Sequence, residues 1–196
     1  ATMTREWSRA KKRKIYDARV NCKKHSMKVF ILALLGSLLF AAPVESHGNH
    51  DHGGSKQILP ETNNTGPKVH LYREATCGCC TKWGTIMAKN GYQVIDKVMD
   101  DLSSLKRTEG IPGELASCHT AFVGGYFIEG HVPVASINKL LDEMPDIAGL
   151  AVPGMPMGSP GMEVPNSPGD AYAVLAVSTD GSTSIYDSYQ GSTLKP

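Results

Sequence analysis

Three of the five cysteines in the chain fall within four consecutive positions, as Cys77, Cys79 and Cys80. A short run of strand-like composition, residues 68–73, precedes them, and a helix-like run follows. The unpaired backbone N–H groups at a helix N-terminus favour the thiolate, the form of cysteine that attacks disulfides and binds metals. Because one helical turn can bring Cys77 and Cys80 together, these two are the candidate catalytic residues of a dithiol site.

Cys79 adds a third thiol, which a dithiol site does not need but which a soft metal ion can use. Cys118 and His119 form a second pair at the start of a later strand, and the fold predicted below would bring them to the cluster. The pattern favours Cys118 as a fourth metal ligand over a buried free thiol or a disulfide partner of the other three. His119 is left open as a ligand, a residue that supports a ligand, or a buried core histidine. His131 is interpreted as a turn residue.

Residues 149–169 form a long segment rich in Pro, Gly and Met, without the periodicity of a helix or strand. It contains Met155, Met157 and Met162, which have few apolar neighbours in sequence. A thioether is a soft, neutral ligand that suits Cu(I) and does little for Zn(II), although methionine usually fills cores. The segment favours a ligand role for at least one of the three. Taken together, the donors exceed a four-ligand structural zinc site and indicate copper as Cu(I), with more than one ion feasible.

The elements that must position these residues alternate in type along the chain. Glycine, proline and asparagine positions divide it into strand, helix, strand, short helix, strand hairpin and helix. This order predicts an α/β fold, a thioredoxin-like sandwich in which a right-handed crossover makes the first two strands parallel. The long Pro/Gly/Met loop and a C-terminal β-hairpin follow. The predicted strands cover residues 68–73, 92–99, 120–123 and 126–129, the helices begin near residues 77, 102 and 133, and the hairpin covers residues 171–178 and 182–189.

The residues before this domain divide into three segments. Residues 1–26 are basic and are interpreted as an upstream extension outside the fold, together with Cys22. Residues 27–46 have the charged start, apolar core and small residues of a secretory signal peptide. As a helix the apolar part would span about 21 Å, short of the ~30 Å hydrocarbon core, which favours cleavage over a membrane anchor. Residues 47–67 form a His-rich flexible linker that either captures metal loosely or only separates the signal from the domain at residues 68–196.

Without residues 1–46 the chain holds ten Lys and Arg against sixteen Asp and Glu, a formal net charge of −6. An acidic chain of this kind is not expected to bind nucleic acid, and it mildly favours cations. We expect membrane contact only through a signal peptide that is not cleaved.

Several longer motifs resemble those of a family of small exported bacterial metal-binding proteins, long catalogued as a domain of unknown function. That family includes the copper-resistance proteins called CopG. The resemblance covers about residues 68 to 189. The motifs that carry it are Cys77-Gly78-Cys79-Cys80 with Trp83, Gly110-Ile111-Pro112, Ser117-Cys118-His119-Thr120-Ala121, Val123-Gly124-Gly125-Tyr126, Glu129-Gly130-His131-Val132-Pro133, and the run from Gly149 to Glu163.

The resemblance implies a thioredoxin-like fold in the periplasm of a Gram-negative bacterium. It also implies copper binding through Cys77, Cys79, Cys80 and Cys118, a role in copper tolerance, and contact with other periplasmic copper-handling proteins. Interconversion of Cu(I) and Cu(II) has been proposed for such proteins.

Three hypotheses follow. The leading one is an exported copper-binding protein for copper resistance, with a possible copper redox activity. The second is a metal-free thiol–disulfide oxidoreductase of the thioredoxin class, which would use Cys77 and Cys80 and would need neither Cys79 nor the Met-rich loop. The third is a structural zinc module that docks a partner.

Overall fold

One mixed sheet of eight strands organises the part of the chain that the computed structural model describes, which is residue 59 and residues 64–196. The sequence predictions for residues 1–26 and 27–46 lie outside these residues, as does the predicted linker at 47–67 except for residues 59 and 64–67. The strand order is β2-β1-β3-β4-β5-β6-β7-β8. The strands are β1 (Lys68–Arg73), β2 (Gln93–Val98), β3 (His119–Val123), β4 (Tyr126–Glu129), β5 (Gly149–Ala151), β6 (Ala171–Val177), β7 (Thr183–Gln190) and β8 (Thr193–Lys195).

Three α-helices connect these strands, each with a recognisable start. Helix α1 (Gly78–Lys89) begins after Cys77, whose sulfur accepts a hydrogen bond of 3.3 Å from the backbone N–H of Cys80. Helix α2 (Leu102–Thr108) is capped by Asp101, which accepts a hydrogen bond of 2.8 Å from the N–H of Ser103. Helix α3 (Val134–Glu143) follows Pro133, which lacks the N–H group that a helix start leaves unpaired.

The first four strands have the arrangement that the sequence predicts. Strands β1 and β2 are parallel and joined through α1, while β3 runs antiparallel to β1. Strands β3 and β4 form a hairpin whose turn residues, Gly124 and Gly125, both have positive φ angles. The predicted mixed α/β architecture is therefore confirmed.

The sheet then continues further than four strands. Residues 149–151 form β5, parallel to β4, so the prediction of a wholly irregular segment from residue 149 to residue 169 is wrong at its start. Three residues are too short to show a strand period in the sequence. The predicted C-terminal hairpin is present as β6 and β7 and extends the sheet beyond β5, and a short additional strand, β8, follows it.

The core lies between the helices and the sheet and is centred on large side chains without exposed surface. Trp83 and Met87 lie on one face of α1, and both are fully buried. They pack in one cluster with strand residues such as Leu71 and Ile128 and with Ile137 of α3. Met87 is thus a core residue.

The sequence predicts the folded unit to begin at Lys68. Two earlier residues, Leu59 and Asn64, already contact the folded domain. Leu59 is buried in the core cluster and its N–H lies 3.3 Å from Oδ2 of Asp96. The amide group of Asn64 donates hydrogen bonds to the carbonyl oxygens at the end of α1 and the start of β2, those of Ala88 and Tyr92.

Within the described residues, no helix combines the length and the apolar character needed to cross a membrane.

Candidate metal centre

The cysteines meet at one end of the sheet because of how β1 and β3 pair. In an antiparallel pair the end of one strand lies beside the start of the other, and Arg73 at the end of β1 is the register partner of His119 at the start of β3. The turn after β1 carries the cluster that opens α1, and Cys118 immediately precedes β3. The predicted approach of Cys118 to the cluster is therefore found in the structure.

Four sulfur atoms lie within 4.8 Å of one another in this region, those of Cys77, Cys79, Cys80 and Cys118. The Sγ atoms of Cys77 and Cys79 are 3.5 Å apart, and those of Cys79 and Cys118 are 3.9 Å apart. Cys80 is buried and its sulfur lies 3.6 Å from the carbonyl oxygen of Cys118, whereas the other three are half-buried. Sulfur atoms this close together could hold a metal ion, and soft sulfur ligands favour soft metals such as Cu(I).

Cys77 and Cys80 are joined by a disulfide, with their Cα atoms 5.4 Å apart, and Cys79 and Cys118 are free thiols. Only a thiolate binds a metal ion, so a disulfide removes two of the four sulfurs from the set of available ligands. Reduction of the disulfide returns them. The same four cysteines can therefore act as a dithiol redox pair or as a four-sulfur ligand set, depending on the oxidation state.

Cys118 also contacts two histidines. Its Sγ atom lies 3.0 Å from Nε2 of His131 and 3.4 Å from Nδ1 of His119. The donor atoms of these three residues lie within 4.8 Å of one another and form a second group that shares Cys118 with the first. Both histidines are buried, and the His119 ring lies against the indole of Trp83 with ring centroids 4.7 Å apart.

The charge states of these groups follow from their burial. Burial lowers the pKa of His131, and burial, with repulsion from Lys106 and from His131 whenever that ring is protonated, lowers the pKa of His119 well below its usual range. Both rings are therefore neutral at pH 7, which is the state of histidine that binds metals. Burial, and then the nearby charge of Cys79, raises the pKa of the Cys118 thiol to about 12. A cation at the sulfur would reverse this preference and favour the thiolate.

The neutral His131 ring has a defined tautomer. Its Nδ1 atom lies 2.8 Å from the carbonyl oxygen of Pro160, which can only accept a hydrogen bond, so Nδ1 carries the proton. Nε2 then presents its lone pair towards Cys118, available to the thiol proton or to a metal ion. In His119 it is Nδ1 that faces the sulfur of Cys118, and the buried Nε2 atom has no hydrogen-bonding side chain or backbone group within bonding geometry among the described residues.

The irregular segment after β5 packs against this cluster. Besides the contact of Pro160 with His131, the hydroxyl of Ser117 donates a hydrogen bond of 2.5 Å to the carbonyl oxygen of Gly154. Gly161 lies so close to α1 that a Cβ atom there would be 2.7 Å from the carbonyl oxygen of Cys79. We refer to residues 152–170 as the covering loop.

The three predicted methionine ligands occupy different parts of the covering loop. Met155 and Met157 are about half exposed, at 52% and 46%, and Met162 is partly buried. Met162 directly follows Gly161, which contacts the start of α1, whereas the backbone of Met157 is hydrogen-bonded to Asp170 at the base of the loop. A ligand role for any of the three stays a prediction.

His131 is the site residue that sequence reasoning missed. It does lie in the bend between β4 and α3, but its side chain is buried against Cys118, so its interpretation as a turn residue alone is wrong. A signal was available in the sequence. Strand β4 is the hairpin partner of β3, so a residue just after β4 returns to the end of the sheet where Cys118 precedes β3.

The chain matches known proteins in two comparisons. Residues 115–162, which include Cys118, both histidines and most of the covering loop, match a family described as a protein of unknown function, DUF411. A comparison with curated proteins found no match. Two solved structures, "Copper resistance protein copG" in Form 1 and Form 2, are each 44% identical to the chain with a TM-score of 0.60. Each match covers 63% of this chain and 98% of the solved one. The chain therefore belongs to the family of the copper resistance protein CopG.

Proposed function

We propose that this protein is an exported copper-binding protein of copper resistance, which holds Cu(I) on the thiolates of Cys77, Cys79, Cys80 and Cys118. The observation that carries the proposal is the meeting of these four sulfur atoms within 4.8 Å of one another. Cu(I) is the ion of choice because it is soft and prefers thiolate and thioether ligands. The copper-resistance name of the 44% identical relatives supports the same metal.

The histidines would complete the ligand set. Nε2 of His131 is aimed at Cys118, and its Nδ1 is anchored on Pro160, which is the arrangement that orients a metal-binding imidazole. His119 offers a further nitrogen at the same sulfur. A sulfur shared by two donor groups can bridge ions, which supports a site for more than one copper. The methionines of the covering loop are further candidate ligands. Met162 is the first of them to consider, because it directly follows Gly161, which approaches the backbone of Cys79.

The Cys77–Cys80 pair supports a copper redox activity. Oxidation of the two thiolates to the disulfide releases two electrons, enough to reduce two Cu(II) ions to Cu(I). Cys79 and Cys118 keep their sulfurs in this state and would retain the product. Return to the dithiol needs two electrons and two protons from another dithiol.

We assign the chain to the thioredoxin-like α/β folds and to the periplasm. The parallel β1–α1–β2 unit with the cysteines at the start of α1 supports the fold assignment. The signal-like residues 27–46 and the family of the chain support the location. Copper ions are the proposed partner, together with periplasmic proteins that deliver or accept them.

A second candidate is a metal-free thiol–disulfide oxidoreductase. The Cys77–Cys80 disulfide at a helix N-terminus favours it, because this is the arrangement of a dithiol redox site. It gives no role to the contacts of Cys118 with Cys79 and His131.

The test uses the mature chain, which is the chain without residues 1–46, prepared without oxygen. One sample is fully reduced and the other holds the Cys77–Cys80 disulfide. Cu(I) is added to each sample together with a competing chelator. Copper per chain and thiols protected from alkylation are counted. We expect the reduced form to retain at least one copper and to protect most of its four thiols, and the disulfide form to retain less. Loss of all copper from the reduced form, combined with a rapidly exchanging Cys77–Cys80 disulfide, would favour the oxidoreductase.

A further inference from the structure

A buried carboxylate lies beside the segment that carries Cys118 and His119. Glu129, the last residue of β4, has no exposed surface. Its Oε1 atom accepts a hydrogen bond of 2.6 Å from the backbone N–H of Ser117, and its Oε2 atom accepts one of 2.7 Å from the hydroxyl of Thr120. One carboxylate therefore holds the chain immediately before Cys118 and immediately after His119.

Lys106 of α2 makes this buried charge tolerable. Its side chain is only 11% exposed, and its ammonium group forms an ion pair with Glu129 and donates a hydrogen bond of 2.8 Å to the hydroxyl of Thr120. A buried carboxylate without such a partner would carry a large desolvation penalty. The hydroxyl of Thr120 accepts from Lys106 and donates to Glu129, so each polar group of the network is used.

Backbone hydrogen bonds add to these contacts. We refer to Glu129 with its partners Lys106, Ser117 and Thr120 as the clamp. The N–H of Gly130 donates a hydrogen bond of 3.0 Å to the carbonyl oxygen of His119, and the N–H of Val152 donates one of 2.9 Å to the carbonyl oxygen of Glu129. The end of β4 is thus fixed to the start of β3 on one side and to the start of the covering loop on the other.

We propose that Glu129 is a positioning residue of the metal centre, whose carboxylate fixes Cys118 where its sulfur meets Cys79 and His131. As far as it concerns copper, this inference rests on the proposed function, but the placement of the Cys118 sulfur does not. Glu129 does not touch that sulfur and acts through the backbone of Ser117.

The chemistry of the clamp requires a carboxylate. All three partners of Glu129 are donors, namely an N–H, a hydroxyl and an ammonium group. A glutamine of the same shape has one acceptor oxygen, and its NH2 group would face a donor. Glu129→Gln therefore breaks one arm of the clamp while it keeps the side-chain volume.

The test compares Glu129→Gln with Asp187→Asn in the mature chain. Asp187 is a matched control, because it also accepts hydrogen bonds from a hydroxyl and a lysine, those of Ser136 and Lys139, and is only 10% exposed. It lies on β7, three strands away from β4. Two quantities are measured for each variant. The first is the alkylation rate of Cys118 relative to Cys79 in reduced, metal-free protein, read by peptide mass spectrometry, and the second is the Cu(I) affinity by chelator competition.

We expect Glu129→Gln to raise the relative alkylation rate of Cys118 severalfold and to weaken Cu(I) binding by about tenfold, the usual effect of losing a residue that orients a metal ligand. Asp187→Asn should lower the melting temperature without moving either quantity. A folded Glu129→Gln protein with unchanged Cys118 reactivity would overturn the proposal. If the alkylation rate rises while even the wild-type chain binds no Cu(I), the positioning role stands and the proposed function fails.

Thr120→Val is the second variant and guards against misfolding of the first. It removes the hydroxyl that bonds to Oε2 but leaves the charge pair of Glu129 and Lys106 in place. We expect the same rise in the relative alkylation rate of Cys118 and the same loss of Cu(I) affinity, each smaller than in Glu129→Gln. Their absence in both folded variants would contradict the proposal.

Discussion

The Nε2 atom of His131 lies 3.0 Å from the Sγ atom of Cys118, although the two residues are 13 positions apart in the chain. The other ring nitrogen of His131 is bonded to Pro160 in the covering loop. One imidazole therefore connects the sulfur cluster with the segment that packs over it. A change in either contact should alter the position of the ring and so the other contact.

Replacing His131 with phenylalanine keeps an aromatic ring, slightly larger than the imidazole, and removes both nitrogens. We expect Cu(I) affinity to fall about 10- to 100-fold, because an oriented nitrogen donor and its supporting hydrogen bond are lost together. Chelator competition measures this effect. His70→Phe is the control, since His70 is half-buried on a strand and points away from the side of β1 that buries Leu71. Equal affinity in the two variants would remove His131 from the centre.

Cys79→Ser separates the two functional hypotheses. The substitution leaves the Cys77–Cys80 pair intact but removes the sulfur that lies 3.5 Å from Cys77 and 3.9 Å from Cys118. We expect weaker copper retention and fewer protected thiols, with an unchanged rate of dithiol–disulfide exchange. Thr85→Ala, six residues or nearly two turns further along α1, controls for a general disturbance of the helix. Unaltered copper affinity and stoichiometry in Cys79→Ser would show that the proposed ligand set is wrong.

Gly161→Ala should loosen the covering loop. An alanine there would have to adopt a φ angle near +90° and place its Cβ atom 2.7 Å from the carbonyl oxygen of Cys79. Gly154→Ala is a close control, since Gly154 also has a positive φ of +67° but its Cβ atom would meet no described atom within 4 Å. Both variants carry a backbone penalty of about 1–2 kcal/mol.

Only Gly161→Ala adds the clash with α1. We therefore expect a larger drop in melting temperature and faster alkylation of Cys79 in Gly161→Ala than in Gly154→Ala. Identical behaviour of the two variants would mean that the loop does not press on the start of the helix.

Ser136→Ala tests how firmly the C-terminal strands belong to the domain. The Ser136 hydroxyl, on α3, lies 2.6 Å from Oδ2 of Asp187 and 2.9 Å from the hydroxyl of Tyr189, both on β7. Its removal leaves buried polar atoms short of a partner, which costs about 1–3 kcal/mol in the free energy of unfolding. Denaturant titration measures the loss, and Ser184→Ala at an exposed position of β7 is the control. A loss no greater than that of the control would refute a stabilising role for this contact.

Local sequence patterns were sufficient for most of the elements. The pattern of residues 68–73 predicts a strand with the bounds that the structure has, and the helix predicted to begin near residue 102 begins at Leu102. The approach of Cys118 to the cluster was also predictable, because it follows from the order of a few elements and the handedness of one crossover.

What the sequence left out depends on contacts between distant segments. The three residues of β5 are strand only because β4 and β6 lie on either side of them. The hairpin order brings His131 to the end of the sheet where Cys118 lies, but the sequence does not show that the covering loop returns there and contacts the ring through the carbonyl oxygen of Pro160. Leu59 lies in the predicted linker, because the two adjacent apolar residues Ile58 and Leu59 are too few to show a period from which burial can be read.

The 3.9 Å between the sulfurs of Cys79 and Cys118 joins two residues that are 39 positions apart. A link across that gap, through an ion or a direct bond, would act as a cross-link that restricts the unfolded chain. The chain-entropy estimate for a closed loop of this size is about 4 kcal/mol. Loaded protein should then resist proteases longer than stripped protein, which a time course of digestion would measure. Occupancy of the centre would thereby set the lifetime of the molecule, so that chains without cargo are the first to be degraded.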